Sequence, residues 1–194
     1  VLNNTGLANE TIVVFTSDHG WTLGENGDWK KFVLNELGTW VPLMVKVPGS
    51  PSQGERTSAL AELVDLMPTL SDLAGLPAPT IHSGDAPLDG VSLVDLFKVK
   101  PPLSVKEYVL AQHPRCPTTP NVSTALWDHN LCINTPSTQF GWMGYSLRTD
   151  RYRFNAYFRW NGSALRPIIP PHPVNGSDGF YCELFNYSEN RQKG

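Results

Sequence analysis

No apolar stretch in these 194 residues approaches the length that crosses a bilayer, so no membrane span is expected. Nor is there an excess of positive charge. Fifteen Lys and Arg against 18 Asp and Glu leave a net charge of −3, with the cations scattered, which argues against nucleic acid as the main partner. Cysteine is scarce, and the three present, Cys116, Cys132 and Cys182, include no closely spaced pair, which argues against a cysteine-held metal. There is no internal repeat and no low-complexity tract. The opening Val1-Leu2-Asn3-Asn4-Thr5 has no Met, no basic start and no apolar segment, so it does not read as a signal peptide. The chain is therefore expected to begin inside something longer, as a processed product or a fragment.

Turn-forming residues are plentiful. Seventeen Pro and 16 Gly predict an irregular, loop-rich second half, while the 40% apolar and 17% charged fractions fit a soluble globular protein with a sizeable core. Asn3, Asn9, Asn121, Asn161, Asn175 and Asn186 each head an Asn-x-Ser/Thr triplet, a density that leans towards a secretory-pathway glycoprotein. Cys116 and Cys132 bracket a Pro/Asn/Thr-rich loop that a disulfide would staple, worth about 3 kcal/mol for a loop of that size. Cys182, left over beside Tyr181 and Leu184, reads as a small buried residue in preference to a bridge outside the chain.

The most informative segment follows a short β-branched and aromatic run, Thr11-Ile12-Val13-Val14-Phe15-Thr16. The run is too short for a helix and too weakly alternating for a half-exposed strand, so it predicts an interior strand of a parallel sheet. Ser17-Asp18-His19-Gly20 leaves its end, where α/β enzymes keep their chemistry. Gly20, Gly24 and Gly27, with Asn26 and Asp28 between, predict a loop without regular structure whose backbone can approach a ligand. Asp18 and His19 suit a divalent cation, an acid–base pair or a hydrogen-bonded turn.

Residues 1–100 have α/β character and residues 101–194 change style. Val41 to Gly49 predicts a second buried strand closed by a Pro-Gly turn. Asp65 is expected to cap a helix that buries Leu66, Leu70 and Leu73 and ends at Gly75, with Pro68 in its first turn. A Pro-rich linker, Leu76 to Asp89, leads to a short helix capped by Ser92 and running through Phe97. Tyr108 to Ala111, Met143 to Leu147, Tyr152 to Trp160 and Tyr181 to Phe185 predict strands of an antiparallel sheet.

The stretch from Thr16 to Lys31 resembles the carboxyl-terminal active-site segment of the sulfatases, their iduronate-2-sulfatase-like branch in particular. Further pieces stand in family order: Trp40-Val41-Pro42-Leu43 with Val47-Pro48-Gly49, then Leu63 to Leu70 with Leu73 to Leu76, then Asp89 to Leu93. Gln112 to Arg115, Met143 to Thr149 and Glu183 to Phe185 continue the series. The resemblance implies the end of an alkaline-phosphatase-like α/β sheet domain (residues 1–100) plus a smaller carboxyl-terminal antiparallel sheet subdomain (residues 101–194). It implies calcium held in part by Asp18 and His19 and Lys31 contacting the sulfate group, with the adjacent Lys30 as the rival, while Trp21 either lines the sugar cleft or packs in the interior. It also implies sulfated glycosaminoglycan as substrate and a lysosomal or secreted location.

Two departures stand out. Asn26 occupies a position where related sulfatases often have His. The Cys-x-Pro-x-Arg segment that yields the family's formylglycine nucleophile has no counterpart at Cys116, Cys132 or Cys182, and the family's amino-terminal aspartate pair is missing too. The chain is therefore expected to be catalytically incomplete and to act with an amino-terminal half carrying the formylglycine. The other readings are a phosphodiesterase or phosphonate hydrolase of the same superfamily and a glycan-binding pseudo-enzyme. His113 reads as a hydrogen-bonded loop histidine, and Arg148, Arg151 and Arg153 as a solvated face or structural ion pairs in preference to sulfate ligands. His82, His129 and His172 carry no spacing signal, and Asp89 reads as a turn residue.

Overall fold

A computed structural model describes residues 1–77, 88–99, 104–116, 132, 134–176 and 179–187. Its regular elements in chain order are β1 (Val13–Thr16), β2 (Thr22–Leu23), β3 (Trp29–Lys30), α1 (Glu36–Thr39), β4 (Leu43–Lys46), α2 (Leu66–Leu73), β5 (Tyr108–Arg115), β6 (Trp142–Thr149), β7 (Tyr152–Asn161), β8 (Arg166–Ile168) and β9 (Phe180–Asn186). The chain folds as two compact units, Val1–Asp18 with Pro42–Val109 and His19–Val41 with Leu110–Gly194. The segment after the Asp-His pair is thus packed with the carboxyl-terminal strands. No described helix is long and apolar enough to cross a membrane.

In the first unit β1 pairs antiparallel with β4, Val14 opposite Val45 and Phe15 opposite Met44, as a two-stranded ladder. Both strands form where expected, but β1 is not an interior parallel strand among the described residues, and Phe15 and Met44 are each 58% exposed. A β-branched, aromatic composition states which side chains a strand prefers to bury, not which neighbours cover it. The connection also lacks a crossover helix long enough for a parallel pair, since α1 has four residues.

Helix α2 ends at Gly75, whose φ of 66° suits the residue after a helix, with the amide of Leu76 donating to the carbonyl of Ser71 at 2.9 Å. Its buried positions are Thr69 and Ser71, while Leu70 is exposed, so the expected leucine face is not what the helix buries. Thr69 tolerates burial because its hydroxyl donates to the Asp65 carbonyl at 2.6 Å and accepts the Leu93 amide at 2.9 Å. Asp65 is corrected as well. Its carboxylate caps no α2 amide but accepts the amides of Glu62 and Val91 at 2.8 and 2.9 Å and pairs with Lys106 at 2.7 Å, at zero exposure. Ser92 accepts the Val94 amide at 3.3 Å and opens a 3-10 turn through Phe97.

The second unit is built on a five-stranded sheet in the order β5-β6-β7, with β8 and β9 sharing the far edge of β7. The register sets Gly144 opposite Tyr157, Ser146 opposite Asn155 and Arg148 opposite Arg153, with Glu183 on the other flank of Asn155. Opposed residues share a face. One face is therefore apolar, with Met143, Ala156 and Phe180 buried and the Phe158 and Phe180 rings 5.1 Å apart. The other face carries glycine, serine, asparagine and arginine. The Cys116–Cys132 disulfide is formed, and Cys182 is a half-buried free thiol on β9. Of the linker, His82, His129 and Asn121, only the ends of the linker fall within the described residues.

Candidate functional site

The candidate segment is His19 to Glu36, and its shape begins with glycine. The expectation of a loop without regular structure is overturned: Thr22 pairs with Lys30 and Leu23 with Trp29 in a short antiparallel hairpin. Gly24, Asn26 and Gly27 have φ of 118°, 55° and 77°, so the residues that disfavour regular structure are those that close its turn. The Thr22 hydroxyl, fully buried, donates to the Lys30 carbonyl at 2.8 Å, and the Glu25 carboxylate accepts the Leu23 amide at 2.7 Å. Gly20 lies against α1, its amide donating to the Gly38 carbonyl at 2.9 Å. A β-carbon on Gly20 would stand 1.8 Å from the Leu37 carbonyl oxygen. We expect Gly20→Ala to lower stability on the order of 3 kcal/mol, measured by urea denaturation, because the clash is with backbone rather than with a flexible side chain.

Asp18 closes the first unit and is exposed, with the Ser17 hydroxyl 3.5 Å from Oδ1. His19 opens the second unit and is half-buried, its Nδ1 2.8 Å from the Gly20 carbonyl oxygen. A carbonyl only accepts, so in the neutral ring Nδ1 carries the proton and Nε2 the lone pair. That is the tautomer a metal-binding histidine uses when its second nitrogen is held by backbone. Trp21 is 54% exposed, with its ring centroid 6.3 Å from that of His19. Lys31 is exposed, its ammonium 5.5 Å from the Phe32 ring centroid. Lys30 has a left-handed φ of 72° and is the residue tied into the hairpin. Among the described residues no three His, Cys, Asp or Glu side chains converge as a metal site.

Beyond Lys31 the chain becomes buried, and here the structure supplies residues that sequence reasoning assigned no part in the site. Phe32 stacks on His113 at 5.5 Å and its carbonyl accepts from Arg115 at 2.6 Å. The Leu34 carbonyl accepts from Arg153 at 3.2 Å, and Arg153 also donates to the Ser146 hydroxyl at 2.8 Å. Asn35 caps α1 through the Gly38 amide at 3.1 Å and donates to Asp28 at 3.2 Å. Glu36 sits between two arginines, Arg148 at 3.1 Å and Arg153 at 2.7 Å, so those two form structural ion pairs as expected. Their distances from Glu36 in sequence, 112 and 117 residues, leave no local signal to read.

The surroundings move several acidities. Burial pushes the Asp28 carboxyl up, with Glu183 adding to the effect and Arg115 and Asn35 opposing it. Burial pushes the Tyr157 phenol up to about 12, so it remains a hydrogen-bond donor across the ordinary range. For Glu36 burial acts upward, but hydrogen bonds from Arg148 and Arg153 outweigh it and hold the carboxyl below its usual 4.5. A carboxylate depressed in the fold stabilises above its unfolded value and loses that contribution as pH falls through the folded one. Acid denaturation of Glu36→Gln is therefore expected to lack a component that the unsubstituted protein loses below pH 4.5, as measured by denaturant midpoints against pH.

Residues 2–76 match the family model described as Sulfatase. Over 199 aligned residues the chain is 33% identical to iduronate 2-sulfatase of Homo sapiens, covering 82% of this chain and 34% of that protein. It is 34% identical over 156 residues to arylsulfatase K of Gallus gallus, covering 80% of this chain and 25% of that protein. Among solved structures, the phosphonate monoester hydrolase SpPMH from Silicibacter pomeroyi superposes with a TM-score of 0.60 at 25% identity, over 86% of this chain and 32% of that one. The chain spans about a third of the length of iduronate 2-sulfatase and a quarter of arylsulfatase K.

Proposed function

We propose that this chain, whose residues 2–76 match the Sulfatase family model, is the carboxyl-terminal portion of a sulfuric ester hydrolase that removes sulfate from uronate residues of glycosaminoglycans. The observation that carries this reading is the 33% identity to human iduronate 2-sulfatase over 82% of the chain, well beyond the residues 2–76 that match the family model. Both units therefore take part in the likeness, including strands beyond the residues that the family model matches.

In this reading Asp18 and His19 contribute to a calcium site. An exposed carboxylate and an imidazole with its lone pair on Nε2 fit as two of the donors, and Asp18 supplies the hard oxygen that calcium prefers. Calcium takes six to eight ligands, so these two donors make part of a site. When bound, the ion polarises the sulfate oxygens, and a formylglycine outside this chain supplies the nucleophile. Lys31 brings a positive point charge to the oxygens on which negative charge grows as the S–O bond breaks. Trp21 offers an exposed ring on which a sugar can stack. A lysosomal or secreted glycoprotein agrees with the exposed asparagines Asn3, Asn9, Asn175 and Asn186 of the acceptor triplets. Asn175 already has its amide engaged with the Cys182 backbone at 2.8 and 3.2 Å.

The likeness to a phosphonate monoester hydrolase supports a second reading, hydrolysis of phosphonate or phosphate esters. Release of sulfate from a 2-O-sulfated uronide disaccharide, set against release of alcohol from a phosphonate monoester, separates the two in the protein that carries the upstream nucleophile. Sulfate release at the higher kcat/KM supports the sulfatase. The reverse order moves the assignment to the phosphonate hydrolases, and turnover of neither leaves a glycan-binding protein.

A further inference from the structure

The face of the carboxyl-terminal sheet that receives residues 32–36 is charged where packing alone calls for apolar side chains. Arg148 and Arg153 are 6% and 5% exposed and converge on a single carboxylate. Burying three charged groups is no efficient route to stability, since well-packed apolar residues commonly do as well or better. What such a cluster provides is register: a planar guanidinium bonds a carboxylate and a carbonyl only in a narrow range of positions.

The bonds made here fall on alternate residues of the segment leading from Lys31. Arg115 holds the carbonyl of Phe32, Arg153 holds that of Leu34, and Arg148 and Arg153 hold the side chain of Glu36. Gly144 leaves room for Leu34, because a β-carbon there would lie 2.8 Å from Leu34 Cδ1. Val33, Leu34 and Asn35 are buried at 3–6% exposure, while Lys31 next to them is exposed. A flexible lysine is thereby carried on a backbone whose next five residues are fixed at three points.

We propose that Glu36, gripped by Arg148 and Arg153, is a positioning residue that fixes the segment following Lys31 on the carboxyl-terminal sheet and so sets where the Lys31 ammonium stands. What Lys31 does from that position rests on the sulfatase reading. The anchoring itself does not. Neutralising Glu36 leaves two buried guanidinium groups without their shared carboxylate, and the strand of backbone between Phe32 and Glu36 loses its register before the sheet loses its own ladder.

The test uses the protein containing the remainder of the sulfatase fold, with Glu36→Gln, Glu36→Asp and Arg153→Lys. Glu36→Gln is expected to speed amide hydrogen exchange at residues 31–36 at least tenfold while β6 and β7 exchange as before. It is expected to lower kcat on the 2-O-sulfated uronide disaccharide 10- to 100-fold with KM changed less than about threefold. Glu36→Asp, which keeps the charge, is expected to recover part of both effects. A purely structural role gives a lower unfolding midpoint with unchanged kcat per folded molecule, and that result overturns the proposal, as does unchanged exchange. Should Glu36→Gln not fold, Arg153→Lys is read by the same two measurements. If the unsubstituted protein releases no sulfate, the sulfatase reading fails by itself, and the exchange measurement still decides whether Glu36 fixes the segment.

Discussion

Replacing Lys31 with alanine in the protein that carries the upstream nucleophile is expected to lower sulfate-ester turnover by about 10²- to 10³-fold, roughly 3–4 kcal/mol of barrier, while leaving bound metal unchanged. The size follows from removing one positive group aimed at the negative charge that develops as the S–O bond breaks. Its neighbour Lys30 offers the control. The Lys30 backbone is held in the hairpin by the Thr22 hydroxyl and its φ is 72°, so Lys30→Ala removes a side chain without disturbing an interaction the reading needs. If Lys30→Ala abolishes turnover and Lys31→Ala does not, the two lysines have been assigned the wrong way round. Asp18→Ala is expected to behave differently again, losing metal and activity together, with metal content measured by elemental analysis beside the kinetics. That contrast separates a charge that acts on the sulfate from an oxygen that holds the ion.

The second large effect lies far from any chemistry. Asp65→Ala is expected to lower unfolding free energy by about 3–5 kcal/mol, because it leaves the Lys106 ammonium with Glu62 alone and strips the Glu62 and Val91 amides of their acceptor. With a urea slope of about 2 kcal/mol/M the midpoint should fall by roughly 1.5–2.5 M. Pairing it with Lys106→Met is expected to recover part of the loss, since the second substitution removes the stranded charge. Lys106 gives the same cluster an alkaline limit. Burial acts to lower its pKa, but the hydrogen bonds it donates to Asp65 and Glu62 outweigh this and hold it above the usual 10.5. A raised lysine contributes fully below its unfolded value and is lost as pH rises through the folded one, so midpoints of the unsubstituted protein should drop above pH 10.5 in a way that Asp65→Ala does not share. A midpoint within 0.5 M of the unsubstituted protein would show the cluster to be dispensable.

The Asp65 result also shows where reading a helix from its sequence goes astray. Aspartate before an apolar run with proline in the first turn is a sound signal for a helix start, and α2 does start there. The carboxylate nevertheless turns away from the helix, because Val91 and Lys106, 26 and 41 residues on, bring it better partners than the α2 amides. Leu66, Leu70 and Leu73 were expected to face a core for the same local reason, yet Thr69 takes the buried place once Leu93 supplies an amide for its hydroxyl. In the hairpin from Thr22 to Lys30 the glycines were legible as residues of unusual backbone freedom. Whether that freedom opens a loop or closes a turn depended on the Thr22 hydroxyl reaching Lys30.

Strands β1, β4, β5, β6, β7 and β9, the end of α2 at Gly75, the Cys116–Cys132 bridge and the family likeness around Asp18, His19 and Lys31 were all determined by the sequence itself. Each depends on side-chain type and spacing over a few residues or on an ordered set of short motifs, and such information survives without a fold. The tertiary structure alone decided that residues 19–41 pack with the carboxyl-terminal strands, that β1 runs antiparallel to β4, and that Glu36 is met by Arg148 and Arg153. A charge carries no record of its partner, so a pairing across more than a hundred residues exists only once the sheet register has placed Arg148 and Arg153 side by side beneath Glu36.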